Sequence, residues 1–249
     1  MWNKTAELHA EGYVKDLLER IAAPDYSTFD SYTREIFADI GLSGKDVAQL
    51  SCNNGRELIS CKKAGAGRCV GFDISEQFVA QGRQLAAAGG VEVEFVRTNV
   101  YDLSTSFDNS FDVVYVTVGA LGWLPDLDAY FGVVRRVLRS GGHYFVYEMH
   151  PVLDMFDVET GLEVKHSYFR TEPYENEAEP DYMNPSKTVQ AKSYWLHHKL
   201  SDIIGGCLRN GLNLTHFAEY AHDESSVFRA FQDFDLKPPL SYSLVAQKR

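Results

Sequence analysis

The stretch from Asp46 to Ile74 constrains this chain more than any other. An apolar run, Val47-Ala48-Gln49-Leu50, leads into small residues, Ser51-Cys52-Asn53-Asn54-Gly55, and then into Glu57-Leu58-Ile59, which opens a helix. A second apolar run, Cys69 to Phe72, ends in Asp73. The order is strand, turn, helix, strand, with an acid at the second strand's tip. In an open parallel sheet such tips share one ligand crevice. The turn presents the N–H groups of a helix start to that crevice. A carboxylate, with two acceptor oxygens, suits the paired hydroxyls of a ribose. The turn has neither the G-x-G-x-x-G spacing of a dinucleotide site nor the Lys-Ser/Thr of a phosphate loop, which argues against a nucleotide-dependent oxidoreductase.

A chain of 249 residues suits one α/β domain carrying an insertion. The net charge of −11, with no Lys/Arg run, argues against a nucleic-acid partner. Cys52, Cys61, Cys69 and Cys207 show no metal or redox spacing. Reduced thiols in a cytoplasmic protein, and no metal, are expected. The N-terminus lacks an apolar signal core and no stretch is apolar enough for a membrane, so no membrane partner is expected.

Residues 1–23 read as an amphipathic helix stopped by Pro24, and Tyr32 to Ile40 as a second, closed by Gly41. Ser75 caps the helix after Asp73, and Val91 to Val96 alternates as a half-buried strand. Phe111 to Val118 is apolar enough for a central strand buried on both faces. It runs into Gly119-Ala120-Leu121-Gly122-Trp123, where Trp123 either stacks on a ligand or packs in the core. The helix Leu127 to Leu138 leads through Arg139-Ser140-Gly141-Gly142 to a strand that ends in Glu148-Met149-His150-Pro151. His150 is placed either to act as a general base or to order the loop by hydrogen bonding. Residues 152–196 form an inserted β-hairpin arm: Leu162 to Arg170 and Lys187 to Trp195 read as its strands, with an acidic connection between them. Its aromatics, Tyr168 among them, wall a substrate pocket or form a homodimer interface. His197-His198 precede a helix of about Leu200 to Arg209, and Leu212 to Tyr220 and Ser241 to Lys248 are the closing strands.

These motifs resemble class I S-adenosylmethionine-dependent methyltransferases. Gln49 stands at the family's first-strand acid, Ser51 and Asn53 at two of its alternating glycines, Gly55 at the third, and Asp73 at its ribose-binding acid. The string V-L-R-S-G-G-H-Y-F-V-Y-E-M-H-P resembles the family's double-glycine turn and fifth strand. G-A-L-G-W-L-P-D-L with E-x-H-P is similar to a bacterial small-molecule subgroup. The resemblance implies a Rossmann-like, seven-stranded, mostly parallel sheet with its last strand antiparallel, helices on both faces, and a hairpin insertion after the fifth strand. It implies one domain over 1–249, with residues 1–41 as a helical lid through which His9 and Tyr13 reach inward. It implies methyl transfer from S-adenosylmethionine, with S-adenosylhomocysteine as product, to a small molecule. The expected cofactor contacts are Leu50, Ser51, Cys52, Asn53, Asn54, Gly55, Asp73, Ile74, Asn99, Val100, Tyr101, Val118 and Gly119. The expected substrate contacts are Tyr13, Trp123, His150, Tyr168 and His197, with Glu148 and His150 as catalytic candidates. The alternative is a catalytically inactive module that binds the cofactor or its product.

Overall fold

The structure, a computed structural model, describes every residue except 11, 158–160 and 226. Helices α1 (Trp2–Ala10), α2 (Tyr13–Ile21) and α3 (Ser31–Ile40) precede the first strand. The single helix expected over 1–23 is two helices. Gly12 has non-helical backbone, and glycine is among the weakest helix formers. The break lets α1 and α2 each lie against the later helix Glu76–Ala88. Asp30 caps α3, its carboxylate accepting the Thr33 N–H at 2.7 Å, and Gly41 ends it in left-handed backbone.

The central unit then runs β1 (Val47–Leu50), α4 (Arg56–Lys63), β2 (Cys69–Asp73), α5 (Glu76–Ala88), β3 (Glu94–Arg97), β4 (Phe111–Val116), α6 (Leu127–Val137) and β5 (Leu138–Met149). The arm contributes β6 (Phe156–Asp157), β7 (Gly161–Val164), β8 (Tyr174–Asn176), β9 (Glu179–Asp181), β10 (Asn184–Val189) and β11 (Ser193–Trp195). Helix α7 (Leu200–Arg209), β12 (Leu212–Tyr220) and β13 (Ser241–Lys248) complete the chain. The seven-stranded sheet has the order β12-β13-β5-β4-β1-β2-β3, and β13 is antiparallel to both its neighbours. The fold expected from the sequence is therefore the fold observed.

Alternating side chains of the central strands feed two cores. Val114 and Val116 of β4 with Tyr144 and Val146 of β5 pack under α6 and α7. Val113, Tyr115, Phe145 and Tyr147 pack on the opposite face with α3 and α4. At the β3 edge, Phe95 fills a notch made by three glycines. A Cβ at Gly55, Gly71 or Gly82 would lie 2.3, 3.0 or 2.6 Å from its ring. Because β1 to β5 are parallel, Leu50, Asp73, Arg97, Val116 and Met149 all end on one edge.

The arm differs from the expected hairpin. Leu162 to Arg170 is not one strand: β7 pairs back on β6, and the hairpin proper runs from β8 to β11. The acidic stretch is thus its first limb, not its connection. Lys192 of the second limb answers that charge, 3.0 Å from Glu175 and 3.7 Å from Glu177.

Candidate functional site

The turn after β1 has left-handed backbone at every second residue: φ is 53° at Ser51, 54° at Asn53 and 68° at Gly55. Non-glycine residues adopt this region at a cost, and Asn tolerates it better than most. The chain thus keeps the turn geometry with only one of the three glycines. Asp73 reaches across from β2. Its Oδ2 accepts the Asn53 N–H at 2.8 Å and its Oδ1 accepts the Ser75 N–H at 2.8 Å. Burial pushes this carboxyl up to about 6, against the pull of those N–H donors. Ile74, next along, is 53% exposed at the strand tip. Cys52 and Asn54 are buried within the turn, and Asn54 donates its N–H to the Asn53 side chain at 2.7 Å. Gln49, two residues before the turn, is fully buried, and neither its amide oxygen nor its amide nitrogen has a partner. A buried, unsatisfied amide is expensive and suits a polar ligand group.

Along the same edge, the Asn99 side chain accepts the Tyr101 N–H at 3.2 Å and caps the short turn Val100–Asp102. A carbonyl oxygen has two lone pairs, so one stays open for an amine donor. The Tyr101 hydroxyl is tied to the backbone of Asp126. The loop after β4 is held by Glu148. Oε1 accepts the N–H of Gly119 at 2.6 Å and of Met149 at 2.9 Å; Oε2 accepts those of Ala120 at 3.0 Å and Leu121 at 3.3 Å. Burial pushes the Glu148 carboxyl up to about 7 despite these four donors. The geometry makes Glu148 the staple that shapes the Gly119–Leu121 loop. Gly119 itself has φ 82° and open space where a Cβ would sit.

His150 is likewise occupied. Its Nδ1 accepts the Val152 N–H at 3.1 Å and its Nε2 lies 2.9 Å from Glu219 of β12. Both ring nitrogens are engaged in this arrangement. His197 donates from Nε2 to the Tyr168 carbonyl at 2.8 Å and faces Asp154 at 2.9 Å through Nδ1. The Tyr168 hydroxyl accepts the Leu200 N–H at 3.0 Å. These two residues tie the arm to α7. A narrow cavity next to them is lined by Leu121, Gly122, Met149, Asp154, Trp195 and Tyr242.

The arm and α1 meet over the turn after β1. The Asn53 amide donates to the Tyr182 hydroxyl at the hairpin tip. His9 of α1 pairs with Asp181 at 2.7 Å, with both side chains 1% exposed, and the Tyr182 ring stands edge-on to His9 at 4.9 Å. Lys4 donates to the Gln190 carbonyl at 2.9 Å. Trp123 lies between Trp2 of α1 and Trp195 of the arm, with ring centres 4.9 and 5.2 Å apart. Tyr13 holds Arg56, the first residue of α4, through its hydroxyl. Sequence reasoning brought His9 and Tyr13 inward and placed Tyr182 among the arm's aromatics, but gave no role to Asp181 or Arg56. An acid in a charge-rich stretch carries no local mark of a partner 172 residues away.

A protein family described as "Methyltransferase domain" matches residues 47–142, the span from β1 to the double glycine of β5. The match spans less than half of the chain, the part that runs from the first strand into the fifth. The enzyme class expected from the sequence stands with it. An uncharacterized methyltransferase of Bacillus subtilis is 28% identical over 72% of the chain and 69% of the relative. A demethylmenaquinone methyltransferase of Bacteroides fragilis is 30% identical over 41% of the chain, which spans 43% of that relative's length. Among solved structures, an S-adenosylmethionine-dependent methyltransferase from Mesorhizobium loti shares the fold with a TM-score of 0.62 at 19% identity, over 88% of this chain and 98% of the other. A geranyl diphosphate C-methyltransferase from Streptomyces coelicolor, solved with Mg2+, geranyl diphosphate and S-adenosyl-L-homocysteine, matches with a TM-score of 0.59 at 12% identity, over 88% and 77%. Among the described residues, no helix is long and apolar enough to cross a membrane.

Proposed function

We propose that this protein transfers a methyl group from S-adenosylmethionine to a small-molecule acceptor. The observation that carries the reading is the turn: left-handed backbone at residues 51, 53 and 55, tied through the Asn53 N–H to Asp73. The donor set around it fits the cofactor. The Asp73 carboxylate suits ribose hydroxyls, the Asn99 carbonyl an adenine amine, and the unpartnered Gln49 amide a polar end group. S-adenosylmethionine is the cofactor; when bound, it supplies a methyl carbon already activated by its sulfonium charge. What the chain adds is alignment and dryness. Glu148 fixes the backbone of Gly119–Leu121, and the α1–hairpin cover keeps water out. Small acceptors are consistent with relatives whose names are demethylmenaquinone, ubiquinone-biosynthesis and sterol methyltransferases. With the Glu148 oxygens and the His150 nitrogens engaged, an acceptor atom that needs no protein base suits this site best.

The test is calorimetric titration of the purified chain with S-adenosylmethionine and S-adenosylhomocysteine, followed by a turnover screen over small hydroxyl, amine and carbon acceptors. Binding of both with turnover of an acceptor is expected. Binding of neither, in folded protein, overturns the reading; binding with no turnover of any acceptor favours the inactive module.

A further inference from the structure

A second polar cluster lies at the ligand edge of the sheet, on the face opposite Glu148. Asp30 comes from the cap of α3, and His222 and Glu224 from the segment that follows β12. One ligand atom from each lies within 4.8 Å of the others, and all three residues are half-buried. The Tyr147 hydroxyl of β5 joins them, in contact with His222 Nε2 and 3.4 Å from Asp30 Oδ2. The Tyr32 ring stacks on His222 at 4.7 Å and fixes its plane. Neighbouring groups prepare the segment: Asp223 turns away to accept the Ser225 N–H at 2.9 Å and the Phe228 N–H at 2.7 Å.

No basic side chain among the described residues answers the charge of this cluster. Among the described residues, no Lys or Arg forms an ion pair with Asp30 or Glu224, and Glu224 has no hydrogen-bond partner. The nearby cation, Arg56, is held by Glu57 and Tyr13. Two carboxylates drawn together on a half-buried surface repel each other unless a proton or a cation lies between them. An imidazole beside them points to a metal ion, because it adds a nitrogen ligand to two oxygen ligands. Ligand atoms that all lie within 4.8 Å of one another are close enough to converge on one ion.

We propose that Asp30, His222 and Glu224 form a binding site for a divalent first-row cation of the Mn2+ or Fe2+ kind. Mixed imidazole and carboxylate donors suit such ions better than Ca2+ or Mg2+, which favour oxygen alone, or structural Zn2+, which favours thiolates. Three protein ligands leave positions for water or for an oxygen atom of a ligand. The site stands independently of methyl transfer.

The experiment is titration of the full chain with Mn2+, read by the electron paramagnetic resonance signal of the free ion. Wild-type protein is expected to bind one Mn2+ tightly enough to remove that signal at stoichiometric protein. Glu224→Gln keeps the volume of the side chain while removing its charge, and is expected to weaken binding by about tenfold or more, as is His222→Ala. Circular dichroism checks that both fold, and S-adenosylmethionine titration of each is expected to match wild type. A free-ion signal unchanged by wild-type protein at millimolar Mn2+ overturns the proposal. So does a folded Glu224→Gln variant that binds as wild type does.

Discussion

The Glu148 carboxylate accepts the Gly119 N–H at 2.6 Å and thereby joins the tip of β5 to the loop that leaves β4. One side chain fixes three consecutive N–H groups of that loop as well as its own neighbour's. Glu148→Gln puts an amide donor where an acceptor is required, leaving at least one buried N–H unpaired. The expected loss of unfolding free energy is about 1–3 kcal/mol, measured by urea denaturation. Methyl transfer should fall further than cofactor affinity, because the loop is shaped rather than removed.

The same residue gives the protein a pH signature. Burial holds the Glu148 carboxyl at about 7, well above an unfolded glutamate. Between the unfolded and folded values the native state binds the extra proton, so this contribution is full below the unfolded value and is lost as pH rises through about 7. Denaturation from pH 4.5 to 8 should show wild type losing stability relative to Glu148→Gln across that window. An advantage that instead grows with pH would mean the carboxyl is ionised throughout.

The cover over the turn after β1 depends on the contacts of His9 with Asp181 and of Asn53 with Tyr182. Tyr182→Ala removes the contact at the turn and the ring against His9. Both association and dissociation of S-adenosylhomocysteine should accelerate by about tenfold in stopped-flow, with a smaller change in equilibrium affinity. Trp123, between Trp2 and Trp195, supplies the fluorescence signal. Rates equal to wild type would mean the hairpin tip does not gate the site.

Much of this arrangement was legible in the sequence because its determinants are local. The β1 turn showed itself through small residues at the needed spacing, α3 through its glycine stop, and β12 and β13 through apolar runs with breakers between them. The hairpin limb was not legible. Tyr174 to Asp181 is acidic and proline-bearing, and only the pairing of β8 with β11 and of β9 with β10 makes it strand. Nor does local residue type show how Glu148 and His150 are engaged: the four N–H groups around one and the two partners of the other come from the fold.

Phe95 locks the first half of the sheet because Gly55, Gly71 and Gly82 all make room for its ring. Phe95→Ala should lower unfolding free energy by about 3–5 kcal/mol, the usual cost of an emptied aromatic site. Gly82→Ala should also destabilise, since its new Cβ would meet the ring at 2.6 Å. The double variant is the informative one. If the clash is with Phe95 alone, adding Gly82→Ala to Phe95→Ala should cost nothing further, so the two losses measured by urea denaturation should be strongly non-additive.

The turn itself can be relaxed in the other direction. Ser51 holds φ 53°, a region a Cβ disfavours by about 1–2 kcal/mol and glycine enters freely. Glycine also loses more entropy on folding, which offsets part of that gain. Ser51→Gly should therefore raise unfolding free energy by up to about 1 kcal/mol and leave S-adenosylmethionine affinity the same or tighter. Ser51→Val should do the opposite on both counts, because a β-branched residue is a genuine outlier at positive φ. Loss of affinity in the glycine variant would show that the Ser51 hydroxyl, not its backbone, contacts the cofactor.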